Sequence, residues 1–174
     1  MVRDISACDI EAGSRTTNLR QLVELRAQRK AADRGVCIRE IRMREVASSA
    51  TDWEGLHLDD TFYCAGGCKE HFLQWVDDDG HIAGFLRLSL PSPEAMSRFG
   101  GETPAKPGQA MIRELHVYGR STPIHGDATS AQHRGLGTQL VEHACSLARD
   151  EGCESVAVIS AVGTRAYYRG LGFR

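Results

Sequence analysis

Gln132-His133-Arg134-Gly135-Leu136-Gly137, with Thr138 opening an amphipathic segment behind it, is the stretch that decides the fold. Two glycines one residue apart let the backbone come close to a ligand and take φ values that a Cβ penalises. Behind them Leu140, Val141, Ala144, Leu147 and Ala148 fall at the i, i+1, i+4, i+7, i+8 positions of a packed helix. The first N–H groups of such a helix lack intrahelical partners, and the macrodipole places roughly +0.5 charge there. A phosphate therefore has a seat at the start of that helix. A glycine-rich turn is weak evidence alone, so the flanking segments have to carry the reading.

Upstream, Met111 to Tyr118 alternates its side chains and predicts a strand. Downstream, Ser155 to Ser160 predicts a short strand suited to burial on both faces, and Gly152 sits where a helix C-cap glycine belongs. Thr164 then predicts the N-cap of a short helix bearing Tyr167 and Tyr168. Toward the N-terminus, residues 17 to 33 predict a helix with Gly35 beyond its end, and 36 to 46 a first strand. Residues 47 to 68 carry no clear pattern. His71 to Val76 and His81 to Leu90 predict a hairpin turning at Asp79-Gly80, and proline-rich 91 to 108 predicts a loop. These elements add up to an α+β domain around a mixed, mostly antiparallel sheet.

The run Gln132-x-x-Gly135-x-Gly137 resembles the coenzyme A loop, Q/R-x-x-G-x-G/A, of the Gcn5-related N-acetyltransferase (GNAT) superfamily. Arg113-Glu114-Leu115-His116-Val117-Tyr118-Gly119 and Ala157 to Arg169 narrow the likeness to the elongator catalytic subunit family. Asn18 to Glu24 and Cys37 to Val46 resemble that family's interdomain stretch. The resemblance is strong over residues 111 to 173 and loose over 47 to 110. It implies a GNAT fold over residues 36–174, with residues 1–35 a helical interdomain remnant.

The same resemblance implies a function. That family joins a radical S-adenosylmethionine domain to an acetyltransferase domain and modifies the wobble uridine of tRNA, forming a carboxymethyluridine. Acetyl-CoA is then the cofactor and tRNA the partner, in the cytoplasm, with accessory subunits or a dimer as further expectations. The family's three-cysteine iron–sulfur motif has no counterpart here, so S-adenosylmethionine and the cluster belong to the full-length family. The family also continues past the Tyr-Tyr helix into a final strand, so the chain is expected to be a fragment lacking that strand and exposing a sheet edge. Two rival readings are a stand-alone N-acetyltransferase acting on an amine or a protein lysine, and a non-catalytic tRNA-binding module.

Site by site, the resemblance places Glu114, Leu115, His116 and Val117 along the pantetheine arm, whose amides a splayed strand edge can pair with. Gln132, Gly135, Leu136, Gly137 and Thr138 would hold the pyrophosphate. Tyr168 would donate a hydrogen bond to the thioester or the leaving thiolate, its alternative being core packing shared with Tyr167. Glu114 and His116, two apart on a strand and so on one face with Tyr118, are the candidate acid–base groups. Against that stands a plain pairing of Glu114 with Arg113 or Arg87. His133 is expected to orient the loop. Cys64, Cys68 and His71 have spacing that could ligate zinc or arise by chance in a loop entering a strand; no metal is predicted.

Length and charge bound these readings. A chain of 174 residues accommodates one domain with a real core plus a small appendage. No apolar run approaches the ~20 residues that span a bilayer, and Met1 to Ile5 has no signal-peptide core, so the six cysteines are expected as reduced thiols. Residues 15 to 44 carry nine Arg or Lys against three acids, a balance of +6 within a whole-chain −2 that leaves −8 elsewhere. A basic segment beside an acidic domain suits a polyanion partner, with Arg20, Arg26 and Arg29 as its contacts, although a solvated helix face has the same composition.

Overall fold

The structure is a computed structural model that describes residues 7–36, 38, 40–46, 55–98, 106, 108–118 and 135–174. The chain divides into two compact units, Met1–Met43 and Arg44–Arg174.

In the first unit, α1 spans Leu19–Ala32. It ends in a reverse turn around Gly35 (φ 65°), with the Val36 N–H on the Ala31 carbonyl at 2.8 Å. Leu19, Leu22, Val23 and Leu25 are all exposed on it, and its apolar residues form no single buried stripe. Among the described residues of 36–46 the predicted strand does not form: Ile41–Met43 is a turn of 3₁₀ helix. Just past the unit boundary, Glu45 makes only an isolated bridge to Ile82.

The second unit is built on a five-stranded sheet in the order β1-β2-β3-β4-β5. β1 is His57–Ala65, β2 Cys68–Val76, β3 Ile82–Pro91, β4 Gln109–Val117 and β5 Ser155–Val158. The first four pair antiparallel and β5 joins β4 in parallel. β1, unforeseen in the sequence, turns into β2 through Gly66 (φ 62°) and Gly67 (φ 82°), the two positive φ values a tight primed hairpin needs. The β2–β3 hairpin forms as expected, with the Gly80 N–H on the Asp77 carbonyl at 2.9 Å. A short helix, α2 (Pro93–Arg98), interrupts the expected loop; Ser92 Oγ accepts from the Ala95 N–H at 3.1 Å and caps it.

α3 (Leu136–Asp150) packs across β2, β3 and β4. Leu140, Val141, Ala144 and Ala148 meet Leu73, Leu86, Leu88, Ala110 and Ile112 there. Six large side chains of this unit, Leu73, Ile82, Leu86, Leu88, Ile112 and Leu140, are almost wholly excluded from water. At roughly 1.5–3 kcal/mol for each side chain, their burial dominates the cohesion of the sheet and helix. α3 closes on Gly152 (φ 81°), with Cys153 N–H on Ala148 O and Gly152 N–H on Arg149 O, the double bond pattern of a Schellman cap. α4 (Arg165–Gly170) follows β5; Thr164 precedes it but caps nothing, its hydroxyl donating instead to the Ala161 carbonyl at 3.0 Å. Among the described residues no helix is long and apolar enough to cross a membrane.

Candidate active site

The site starts from a break in strand pairing. β5 runs beside β4 only from Gln109↔Ser155 to Ile112↔Val158, and the last bond is Ile159 N–H to Ile112 O at 3.0 Å. From Arg113 to Val117, β4 has no strand partner on that side among the described residues. Its other side stays paired with β3, but through an irregularity: Leu88 faces Ile112 while Arg87 faces Glu114, leaving Arg113 as the extra residue of a bulge. A bulge interrupts the alternation of faces, so Arg113 and Glu114 turn to the same side. That side is opposite α3.

There the sequence-predicted pair comes together. His116 Nε2 lies 3.5 Å from Glu114 Oε1, and the His116 ring stacks near Tyr118 (centroids 6.2 Å, 17°) and against Phe85 (5.5 Å). Arg87 Nη1 is 3.8 Å from the other Glu114 oxygen, whereas Arg113 leaves Glu114 alone and reaches Glu70. Glu114 thus stands between an imidazole and a guanidinium, within reach of both.

The second half of the site is the start of α3. Gly135 holds the left-handed conformation (φ 73°, ψ 14°) as N-cap residue and, as a glycine, supplies no side-chain cap. Its carbonyl accepts the first helical bond, from Gln139 N–H at 2.9 Å. The N–H groups of Leu136, Gly137 and Thr138 precede that bond, so the helix itself supplies them no acceptor. Gly137 is needed for space: a Cβ there would stand 2.9 Å from the Tyr167 hydroxyl and 3.5 Å from Val117 Cγ2. Gln132 and His133 lie outside the described residues.

Tyr168, the predicted hydroxyl donor, is 8% exposed and belongs to the core, with its ring edge-on to Tyr167 (5.1 Å) and Phe173 (5.7 Å). Tyr167 is the residue whose hydroxyl reaches the start of α3. That hydroxyl is buried without a hydrogen-bond partner. Burial pushes the Tyr167 phenol up, Thr138 pulls it partly back, and the Glu142 carboxylate raises it further. Burial likewise raises Tyr168, with Tyr167 adding to the shift. The start of α3 thus combines a left-handed glycine, N–H groups that the helix itself does not engage and a position where a Cβ would crowd the Tyr167 hydroxyl.

Cys64, Cys68 and His71 do not assemble. The hairpin register sets Cys64 opposite Lys69 and Cys68 opposite Ala65, putting the two thiols on opposite faces. His71 instead has Nδ1 2.8 Å from Asp60 Oδ2. No cluster of three or more potential metal ligands occurs among the described residues.

Residues 38–173 match the acetyltransferase (GNAT) family. The chain is 40% identical to the tRNA uridine(34) acetyltransferase of Dehalococcoides mccartyi, over 99% of this chain and 37% of that protein. It is 38% identical to human Elongator complex protein 3, over 99% of this chain and 31% of that protein. Among solved structures, archaeal Methanocaldococcus infernus Elp3 with an N-terminal deletion superposes with a TM-score of 0.67 at 29% identity, over 99% of this chain and 40% of that one. The chain thus spans about a third of the length of the curated relatives it matches. With its family match running from before the first strand to the end of α4, the chain belongs to the GNAT acetyltransferase family, and within it is homologous to Elongator complex protein 3 and tRNA uridine(34) acetyltransferase.

Proposed function

We propose that this chain is the acetyl-CoA-binding domain of a tRNA wobble-uridine-modifying enzyme of the elongator type, acting in the cytoplasm. Residues 36–174 form the acetyltransferase domain in this reading, and residues 1–35 an interdomain helical segment. The observation that carries it is the conjunction of a β4 edge, Arg113 to Val117, without a strand partner on the β5 side among the described residues and a start of α3 opened by a left-handed glycine.

The residues present fit acetyl-CoA. The N–H groups of Leu136, Gly137 and Thr138 would take the diphosphate, with Gln132 and Gly135 shaping the loop. The backbone of Glu114 to Val117 would pair with the pantetheine amides. Bound there, acetyl-CoA would supply an activated two-carbon unit for attachment to carbon five of the wobble uracil. The chain's own task is then positioning, which alone can supply several kcal/mol of barrier reduction. Tyr168, or Tyr167 beside it, would present a phenol proton near the thioester sulfur, and Glu114 with His116 would line the acceptor side. The basic α1 would contact the tRNA backbone.

A second reading, direct acylation of an amine, is favoured by the Glu114–His116 pair at 3.5 Å, since an ammonium must lose a proton before attack. It predicts turnover with a panel of small amines and peptides without tRNA, abolished by Glu114→Gln. Calorimetry with acetyl-CoA tests what the two readings share. Binding is expected, and it should fall at least 10-fold in Gly135→Val and Gly137→Leu. No heat with the wild-type chain, or unchanged affinity in both variants, overturns the assignment.

A further inference from the structure

Glu70 is a carboxylate where the sheet has little use for one. It is 3% exposed, and one of its oxygens, Oε2, is buried without a hydrogen-bond partner. The other, Oε1, accepts from Ser89 Oγ at 2.7 Å and from Arg113 Nη1 at 3.5 Å. Ser89 lies on β3 directly opposite Glu70, and Arg113 is the extra residue of the β4 bulge. One oxygen thus ties β2, β3 and β4 together at the point where β4 loses its pairing with β5.

As a stabilising device this is poor. Desolvating a carboxylate is costly, its second oxygen gains no partner, and an apolar residue of similar volume often serves a sheet at least as well. As a positioning device it is apt. The bulge leaves Arg113 unpaired in the ladder and bends the strand there. Holding the Arg113 side chain fixes the step that turns Glu114 and His116 to the face opposite α3 and sets the line of the open edge beyond them.

Resting on the acetyl-CoA reading above, we propose that Glu70 is a positioning residue: through Arg113 it fixes the β4 bulge, and with it the strand edge that receives the pantetheine arm and the acceptor face carrying Glu114 and His116. Glu70 itself touches neither cofactor nor acceptor.

The test uses the full chain with two probes, coenzyme A and its fragment 3′-phosphoadenosine diphosphate, which lacks pantetheine. In Glu70→Gln and in Arg113→Met, coenzyme A affinity should fall about 10-fold while fragment affinity stays within 2-fold. The double variant should be no worse than either single one. The imidazole NMR signals of His116 should move in the same direction in both variants, with no ligand added. Glu70→Met serves the same comparison should Glu70→Gln fold poorly. Equal loss for both probes, additive losses, or unmoved His116 signals in a folded variant would overturn the proposal. A wild-type chain that binds neither probe instead refutes the acetyl-CoA reading and takes this inference with it.

Discussion

At Gly137 a single methyl group would sit 2.9 Å from the Tyr167 hydroxyl. Glycine inside a helix ordinarily costs about 1 kcal/mol relative to alanine. Here the usual gain from Gly137→Ala is expected to vanish or reverse, because the buried phenol has to move. Thermal melts should show no rise in Tm for Gly137→Ala, and a rise once Tyr167→Phe removes the hydroxyl. A Gly137→Ala chain stabilised on its own would mean that Tyr167 does not crowd the helix start. Single residues are also unevenly legible in the sequence. Glu114 and His116 stand out because period-two alternation is geometry, and they do meet at 3.5 Å. Glu70, and Tyr167 at the helix start, come from register and helix phase, which neighbouring residues in sequence do not encode, whereas Arg87 is one of the two partners the sequence offers for Glu114. Arg113 shows why: the bulge turns it toward Glu70, and no local pattern announces a bulge.

The elements themselves are readable wherever one face is buried. α3, β2, β3 and β4 each pack a face against the core and their patterns announce them, whereas β5 is read as a strand buried on both faces and is only half-buried. β1 is not readable because almost all of it is exposed, so burial imprints no alternation. Its Asp59 and Asp60 look like loop residues, yet Asp59 accepts from Gln74 Nε2 at 2.6 Å and Asp60 pairs with His71. Residues 36–46 mislead in the other direction, since Ile38, Ile41 and Met43 suggest a strand where the chain forms a 3₁₀ turn. For α2, the Ser92-Pro93 start signal lies inside a proline-rich stretch and is outweighed by it. Two expectations belong to single elements. Gly152→Ala at the α3 cap should cost about 1–2 kcal/mol, the penalty of a Cβ in the left-handed region, measured as a lower denaturation midpoint with unchanged m. An unchanged midpoint would contradict the cap assignment. On α1, where Arg26, Arg29 and Lys30 are exposed, neutralising all three should weaken tRNA binding and flatten its salt dependence. The slope should drop by roughly 0.7–0.9 for each phosphate the helix no longer neutralises. Unchanged slope would reduce the helix to a solvated surface.

Across the second unit, the shifted titrations share one sign on the alkaline side. Burial raises the thiols of Cys145 and Cys153 above 9.0 and the phenols of Tyr167 and Tyr168 above 10.0, so the fold keeps all four neutral. The unfolded chain releases those protons at the lower, ordinary values. Above about pH 9 it therefore binds fewer protons than the native state, and stability falls as pH rises until the native groups also ionise. Tm should decline steadily from about pH 9 to 11, and Tyr167→Phe should shallow the decline above about pH 10. A Tm flat across that window would show these groups to be hydrated in the fold. The cohesion of the unit comes from the sheet–helix core, whereas its proposed chemistry lies where that order stops, at the β4 edge beyond β5 and at the start of α3. The direct measurement is a crystal structure of the chain grown with coenzyme A. The account predicts diphosphate oxygens within hydrogen-bond distance, about 3 Å, of the N–H groups at the start of α3, and pantetheine amides along Glu114 to Val117. A helix start filled by the chain's own side chains, or coenzyme A bound elsewhere, would contradict it.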